Sequence, residues 1–435
     1  YLAAPLAAVS AVLLHLLVRR TTGSAWSGML AGIVLIGFEF FLYTTVSTLT
    51  PKVLVMTLTL AACLAVQARR WGAVGLASGL AATCWQPAAL IPIALFAVVA
   101  REARARPGKV LGAWALGLLV GALPAVVYLT ISESWWHFLQ RAIVMPATAQ
   151  LDSNTDPLHW LSVAWHQFSN ERILFLAGAA GFVWFLAAAL RGGLRALLPA
   201  CLDPRLAGMP VLTLAWATFN SLEFGAAPDM LPFLPIVAFW VAWLSHRLVA
   251  GLPSLGPVGG ARAVGRRLAS VSKGAIIVAA AVFAASNTPT FPYTLAKQEI
   301  FIQRIVKKAG RDGTVMCFSA SEVYAISERA SPQPFLRLSD AFIPFLPLVG
   351  FDDCRAVMLR TFDQRPEVVV INLWRHSSEC ERRIAELLPE NGYVLHVAAI
   401  AGMTWRVFWL PWWDRLEADP NGSIEADNPA LDRRD

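Results

Sequence analysis

The sequence predicts a mainly α polytopic membrane protein of about eight spanning helices plus a short helical hairpin, followed by a C-terminal extracytoplasmic α/β domain. Three observations carry that expectation. The 435 residues are 57% hydrophobic and only 15% charged, where a soluble globular chain runs at about 45–50% apolar and about 25% charged. Apolar runs approaching the roughly 20 residues that cross a bilayer as a helix recur as far as position 291. Beyond about residue 295, short β-rich runs alternate with helical stretches, the pattern of a small α/β sheet domain.

Charge divides in the same place. Residues 1–291 hold 19 basic and 9 acidic side chains, a net of +10, while residues 292–435 hold 17 and 20, a net of −3. The basic excess therefore belongs to the apolar part, where Lys and Arg mark cytoplasmic loops. Nucleic acid is set aside as a partner.

The spanning candidates are residues 2–18, 28–49, 51–68, 109–131, 173–190, 211–224, 230–246 and 274–291. Residues 72–100 differ, because Trp85-Gln86-Pro87 interrupts them and basic residues flank both ends. Like flanks place both ends on one side, so the stretch reads as a hairpin that enters and returns, with its irregular tip sheltered by protein or lining a wet cavity. With the hairpin in place, 16 of the 19 basic residues share one side, and the other keeps only Lys52, Arg141 and Arg172. The positive-inside rule makes the first side cytoplasmic. Tyr1 and the segment after 291 then lie outside, in a multi-pass plasma-membrane protein.

The outer loop 132–172 carries Trp135, Trp136, Trp160 and Trp165, and Leu161, Trp165 and Phe168 have helical spacing. That suits an amphipathic surface helix with its indoles at headgroup depth, either roofing a lipid-facing cavity or simply anchoring the loop.

Three regions follow: 1–291 transmembrane, 292–412 α/β and 413–435 a polar, acidic tail of disordered composition. Within the α/β region, strands are expected at Thr314–Phe318, Glu367–Asn372, Tyr393–Ala398 and Thr404–Leu410, and helices near 297–309, 320–328, 352–363 and 379–388. The six cysteines include no Cys-x-x-Cys pair and none at zinc-ligand spacing with His. Cys354 and Cys380 each begin an expected helix on either side of one strand, so a disulfide is sterically conceivable in an oxidising compartment, with buried free thiols as the alternative.

Phosphate loops, dinucleotide fingerprints, nucleophile elbows and His-Glu-x-x-His zinc helices are all missing from the sequence. The informative stretch is residues 43–90. An apolar helix reaches the outer face at Thr48-Leu49-Thr50-Pro51-Lys52, the next descends to Arg69-Arg70-Trp71, and the small-residue segment Gly72 to Cys84 leads into Trp85-Gln86-Pro87. This order resembles the GT-C superfamily of polytopic glycosyltransferases, in its protein O-mannosyltransferase-like branch. The segment Ala227-Pro228-Asp229-Met230-Leu231-Pro232-Phe233-Leu234-Pro235 is similar to the late outer-face segment of that family, and a small extracytoplasmic C-terminal domain is a third likeness.

The resemblance implies transfer of a sugar, with inversion, from a polyprenyl-phosphate donor to a protein, lipid or glycan acceptor at the outer leaflet. The family's catalytic acid lies on the first outer loop, and no acidic pair precedes the matched residues here. Tyr1 already stands inside an apolar run, so the expectation is that this acid lies upstream of Tyr1, and the catalytic residue is unassigned.

Such chemistry needs an amphipathic groove, a cation for the phosphate leaving group and a carboxylate base for the acceptor hydroxyl. Lys52 and Arg141 are the donor-phosphate candidates, Lys52 having the snorkelling interfacial anchor as its alternative. Glu39, Gln86, Glu223 and Asp229 are the cavity candidates. Glu39 sits near the middle of the apolar run 28–49, where an ionisable group is expensive, and reads as a cavity group or a protonated structural carboxyl. Asp229 reads as an acceptor or ion ligand, or as a solvated turn. Gly75-x-x-x-Gly79 and Gly117-x-x-x-Gly121 read as close helix packing. No cofactor is required, no metal site is assigned, and a divalent cation is compatible. Two other classes remain open, a polytopic transporter and a membrane-anchored sensor or scaffold with an outer binding domain.

Overall fold

The computed structural model describes residues 3–47, 51–139, 159–223, 227–251, 260–287, 353–372, 379–400 and 403–409, with positions 300, 302–305, 307, 309–310 and 313–318. The chain divides into two compact units, Tyr1–Pro289 and Thr290–Asp435.

The first unit is helical. It contains α1 (Ala3–Thr22), α2 (Ala25–Ile36), α3 (Glu39–Ser47), α4 (Pro51–Gln67), α5 (Trp71–Cys84), α6 (Leu90–Ala103), α7 (Pro107–Ile131) and α8 (Trp135–Leu139). It continues with α9 (His159–Gln167), α10 (Arg172–Leu190), α11 (Leu194–Cys201), α12 (Met209–Glu223), α13 (Leu234–Gly251) and α14 (Gly260–Ser286). Among the described residues, six helical segments are long and apolar enough to cross a membrane: Ala4–Thr22, Gln86–Ala103, Pro107–Ile131, Arg172–Leu190, Asp229–Gly251 and Arg267–Ser286. Ala25–Ile36, Pro51–Gln67 and Trp71–Cys84 are shorter apolar helices.

Two of the expected runs differ from single spans. The described part of the run 28–49 forms two helices, because the chain breaks at Gly37-Phe38. Gly37 ends α2, and Phe38 turns its buried ring against Phe168 and Phe175 at centroid distances of 6.5 and 5.6 Å. The run 211–224 becomes α12, only 15 residues long. At the expected hairpin, α5 ends at an extended Trp85, a 3-10 turn spans Gln86–Ala89, and α6 returns. The helices on either side of the break are 14 residues each, and the 3-10 turn lengthens the second to the 18-residue apolar segment Gln86–Ala103.

Small residues set the closest approaches. A Cβ on Gly75 would run into the Trp114 carbonyl, one on Gly117 into the Gly72 carbonyl, and one on Gly121 would come within 2.5 Å of the Leu76 carbonyl. The two Gly-x-x-x-Gly stretches therefore face each other, their positions rising together, so α5 and α7 are parallel with backbones in direct contact. Parallel pairing recurs in α10 and α13, where Gly178 meets Val237 and Gly181 meets Trp240. It recurs in α1 and α4, where Ser10 Oγ and Thr57 Oγ1 share a buried hydrogen bond of 2.7 Å and Gln67 Nε2 donates to the Leu17 carbonyl at 3.3 Å.

The second unit holds a four-stranded sheet of β1 (Val315–Phe318), β2 (Val368–Asn372), β3 (Val394–Ile400) and β4 (Met403–Trp409), in the order β1-β2-β4-β3. β1 and β2 are parallel, while β4 runs antiparallel to both of its neighbours. Two further helices, α15 (Cys354–Gln364) and α16 (Glu379–Leu387), pack Val357, Met358, Ile384 and Leu388 on Met316, Val369, Ile371 and Phe408. The elements stand within a residue or two of those expected. Of the helix expected over 297–309, the described positions from 300 onward are helical, and the one expected near 320–328 lies outside the described residues. Cys354 and Cys380 are joined by a disulfide, with Cα atoms 5.7 Å apart.

Candidate functional site

Four elements meet at one end of the helical unit: the start of α4, the end of α5, the last two turns of α12, and the 3-10 stretch Ala227–Phe233 that leads into α13. Lys52 occupies the first turn of α4, where the partial positive charge of the helix terminus opposes a cation. Two contacts offset that cost. Lys52 Nζ donates to Asp229 Oδ1 in a salt bridge, and it stands 4.7 Å from the centroid of the Trp85 ring, within cation–π range. The two charged side chains keep only 19% and 13% of their exposure, so the pair is largely removed from solvent.

Trp85 is the platform. Its extended backbone at the end of α5 frees the indole to stack on Trp216, with centroids 5.7 Å apart and planes 12° from parallel, and to meet the edge of Phe219 at 5.8 Å. Trp216 is 1% exposed, and one turn further along α12 Asn220 is also 1% exposed. Among the described residues, neither amide atom of Asn220 has a hydrogen-bond partner, nor does Trp216 Nε1. Each such buried polar atom costs about 1–3 kcal/mol. A cation, a carboxylate, an indole face and an unsatisfied amide thus lie within a few residues of one another.

A second cluster lies at the α2/α3 break. Glu39 does not sit in the middle of a spanning helix; it opens α3, its side chain is exposed, and its backbone N–H donates to Glu171 Oε1 at 3.0 Å. Glu171 is the buried carboxyl, 3% exposed, and burial pushes its pKa up, with the neighbouring Glu39 charge acting in the same direction and the accepted N–H bonds acting against it. It caps α3 from across the fold.

The expected surface helix is α9, but its faces divide differently. Ala164 within it and Phe168 just beyond its end are buried, whereas Leu161 and Trp165 are exposed. Phe168 packs edge-on to Phe38 and Phe40 and at 5.0 Å from Phe175, so it docks the segment inward. Arg172 lies 4.7 Å from the Trp165 ring and its Nε donates to the Trp165 carbonyl at 2.7 Å.

Of the sequence-derived site residues, the structure joins Lys52 with Asp229 and keeps Glu39 apart in the second cluster. Gln86 is exposed in the first position of its turn. Glu223 is the last residue of α12, and its side chain lies outside the described residues, as does Arg141 altogether. Sequence reasoning missed Trp85, Trp216, Asn220 and Glu171 as site-forming groups. Signals existed for three: the indole immediately before Gln86-Pro87, the lone amide in the apolar run 211–224, and the acid two residues before the run 173–190. Among the described residues, no group of three or more His, Cys, Asp or Glu side chains could hold a metal ion. No protein-family model and no curated protein matches the chain.

Proposed function

We propose that the protein is a membrane glycosyltransferase that takes a sugar from a polyprenyl-phosphate donor, and that the Lys52–Asp229 pair on Trp85 is its reaction centre. The observation that carries this reading is the pair itself. A partly buried ammonium bound to a carboxylate is a phosphate site whose counter-ion is already in place, and a phosphate oxygen competes for Lys52 on the same terms as Asp229 does.

In the proposed reaction the donor phosphate displaces the carboxylate from Lys52. The acceptor hydroxyl oxygen attacks the anomeric carbon as the bond from that carbon to the phosphate oxygen breaks. The electron pair leaves with the lipid phosphate, whose charge Lys52 neutralises, and the hydroxyl proton passes to the released Asp229. General-base assistance of this kind contributes roughly 10²–10⁴-fold. The site lies at the helix end that the positive-inside reading assigns to the outer face. The helices long and apolar enough to cross a membrane support a lipid-linked donor, and the order of segments around Lys52 and Asp229 supports the GT-C likeness.

The test uses the purified protein in lipid nanodiscs with a radiolabelled hexosyl phosphate of a short polyprenol. Release of polyprenyl phosphate, lost in Asp229→Asn and in Lys52→Ala, is the expected result. A wild-type protein that consumes no donor across a panel of hexoses, with and without Mg²⁺, overturns the reading.

A further inference from the structure

Among the described residues, five buried side-chain polar atoms have no hydrogen-bond partner: Gln67 Oε1, Trp114 Nε1, Trp216 Nε1 and both amide atoms of Asn220. Three of the five lie on one turn of α12, since Trp216 and Asn220 are four residues apart and share a helix face. Elsewhere on the same helix the fold satisfies such a group, for Trp240 Nε1 donates to Thr213 Oγ1 at 2.9 Å. Gln67 differs too, because its Nε2 donates to the Leu17 carbonyl, Thr21 Oγ1 and the Arg205 carbonyl. Among the described residues only Asn220 leaves both ends of its amide unused.

These atoms adjoin the Lys52–Asp229 pair through one ring. Trp85 stacks on Trp216, meets the edge of Phe219 and has Lys52 Nζ 4.7 Å from its centroid. At 3.6 residues per turn, Phe219, Trp216 and Asn220 project within about 100° of one another around α12. Trp85 is half-buried and stands at an extended residue between α5 and the 3-10 turn. Its ring therefore belongs to neither helix and can turn without unwinding one.

The atoms themselves restrict what could complete them. Asn220 offers two N–H donors and one carbonyl acceptor, and Trp216 adds one donor. A metal ion would meet three N–H groups against a single oxygen. A phosphate or carboxylate would leave the Asn220 oxygen without a donor, and would add an anion to a site that already holds the Asp229 carboxylate. A hydroxyl both donates and accepts, so two neighbouring hydroxyls can satisfy all four groups without bringing in charge.

Within the transfer reaction proposed above, on which this step rests, we infer that Asn220 and Trp216 Nε1 bind two hydroxyl groups of the donor sugar, which enters as the Trp85 ring turns off Trp216. In that reaction the donor phosphate takes Lys52. The sugar is joined to the phosphate through one oxygen, which leaves its hydroxyls beside the ring that Lys52 faces. The same step draws the ammonium toward the phosphate and weakens its hold on the indole. The buried amide then selects among hexoses, because a donor lacking either hydroxyl leaves Asn220 unpaired.

The test uses the whole chain in nanodiscs with hexosyl phosphates of a short polyprenol, each parent hexose compared with its monodeoxy forms. The wild-type kcat/KM should fall about 10–100-fold for one or two of the deoxy donors. Asn220→Leu should lower the parent's kcat/KM to the same degree and use those deoxy donors as the wild type does, so that the discrimination vanishes. Trp216→Phe, which keeps an aromatic ring in the stack without the N–H, should erase part of it. A melting temperature unchanged or raised in Asn220→Leu checks the fold, and if it drops, Trp216→Phe carries the comparison. Donor turnover with undiminished discrimination in both variants, or equal loss across every donor as a merely structural amide would give, overturns this inference and leaves the transfer reading standing. A wild type that consumes no hexose donor removes that reading and this inference with it.

Discussion

Lys52 and Asp229, 177 residues apart in sequence, form a salt bridge at one end of the helical unit, with the ammonium over the Trp85 ring. Lys52 opposes the dipole of its own helix, whereas Asp229 lies in the first turn of the 3-10 stretch Ala227–Phe233, and both side chains are largely removed from solvent. The carboxylate offsets the cost of the ammonium.

Lys52→Ala removes a charged hydrogen bond to Asp229 and the cation over the Trp85 ring. Donor turnover in nanodiscs should fall by about 10–100-fold, the kinetic equivalent of a charge-assisted bond worth about 1.5–3 kcal/mol. Lys52→Arg should retain most of it, since guanidinium also donates to phosphate. Equal turnover in all three proteins would leave Lys52 only an anchoring role.

Asn220 is buried, and among the described residues neither of its amide atoms is paired. Asn220→Leu keeps the branching of the side chain and removes both polar atoms, so it should leave the melting temperature unchanged or raise it, by an amount worth about 1–2 kcal/mol. A clear fall would mean that the amide is bonded in the resting protein.

The α5–α7 contact has no room for a side chain at Gly75 or Gly117. Backbone carbonyls, not flexible side-chain tips, are what a Cβ would meet, so the helices must separate. Gly75→Val and Gly117→Val should each cost about 1–3 kcal/mol, read as a lower melting temperature in detergent. Gly112→Ala, where a Cβ meets nothing within 4 Å, should be neutral.

Glu171 carries a raised pKa, chiefly from burial. The folded protein therefore holds this proton more tightly than the unfolded chain. The stability linked to it is fully present below the unfolded value and is lost as pH rises through the raised folded value. Glu171→Gln can still accept from the Glu39 N–H without charging, so its melting temperature should exceed the wild-type value at neutral pH, and the difference should shrink on acidification. A difference independent of pH would show that Glu171 does not titrate in this window.

The sequence by itself determined the helices and strands, because their signals are local. Mean apolarity over a run marks a segment that water rejects, and short β-rich runs near positions 315, 368, 394 and 404 mark the four strands, each found within a few residues of its expected place. Gly75, Gly79, Gly117 and Gly121 announced close packing through spacing alone. What the sequence could not settle was which distant groups become neighbours. Glu39 looked like a mid-membrane acid because its run is uninterrupted in hydropathy, yet the helix ends two residues earlier at Gly37, beside the Phe38 ring that packs on Phe168 and Phe175. Glu171 takes the burial that Glu39 avoids, since only the former can reach the N–H groups that the break exposes. Asp229 read equally well as a solvated turn until the fold brought Lys52 to it. Hydropathy and spacing act along the chain, whereas a charge's partner depends on the three-dimensional neighbourhood, and only the packed helices fix that.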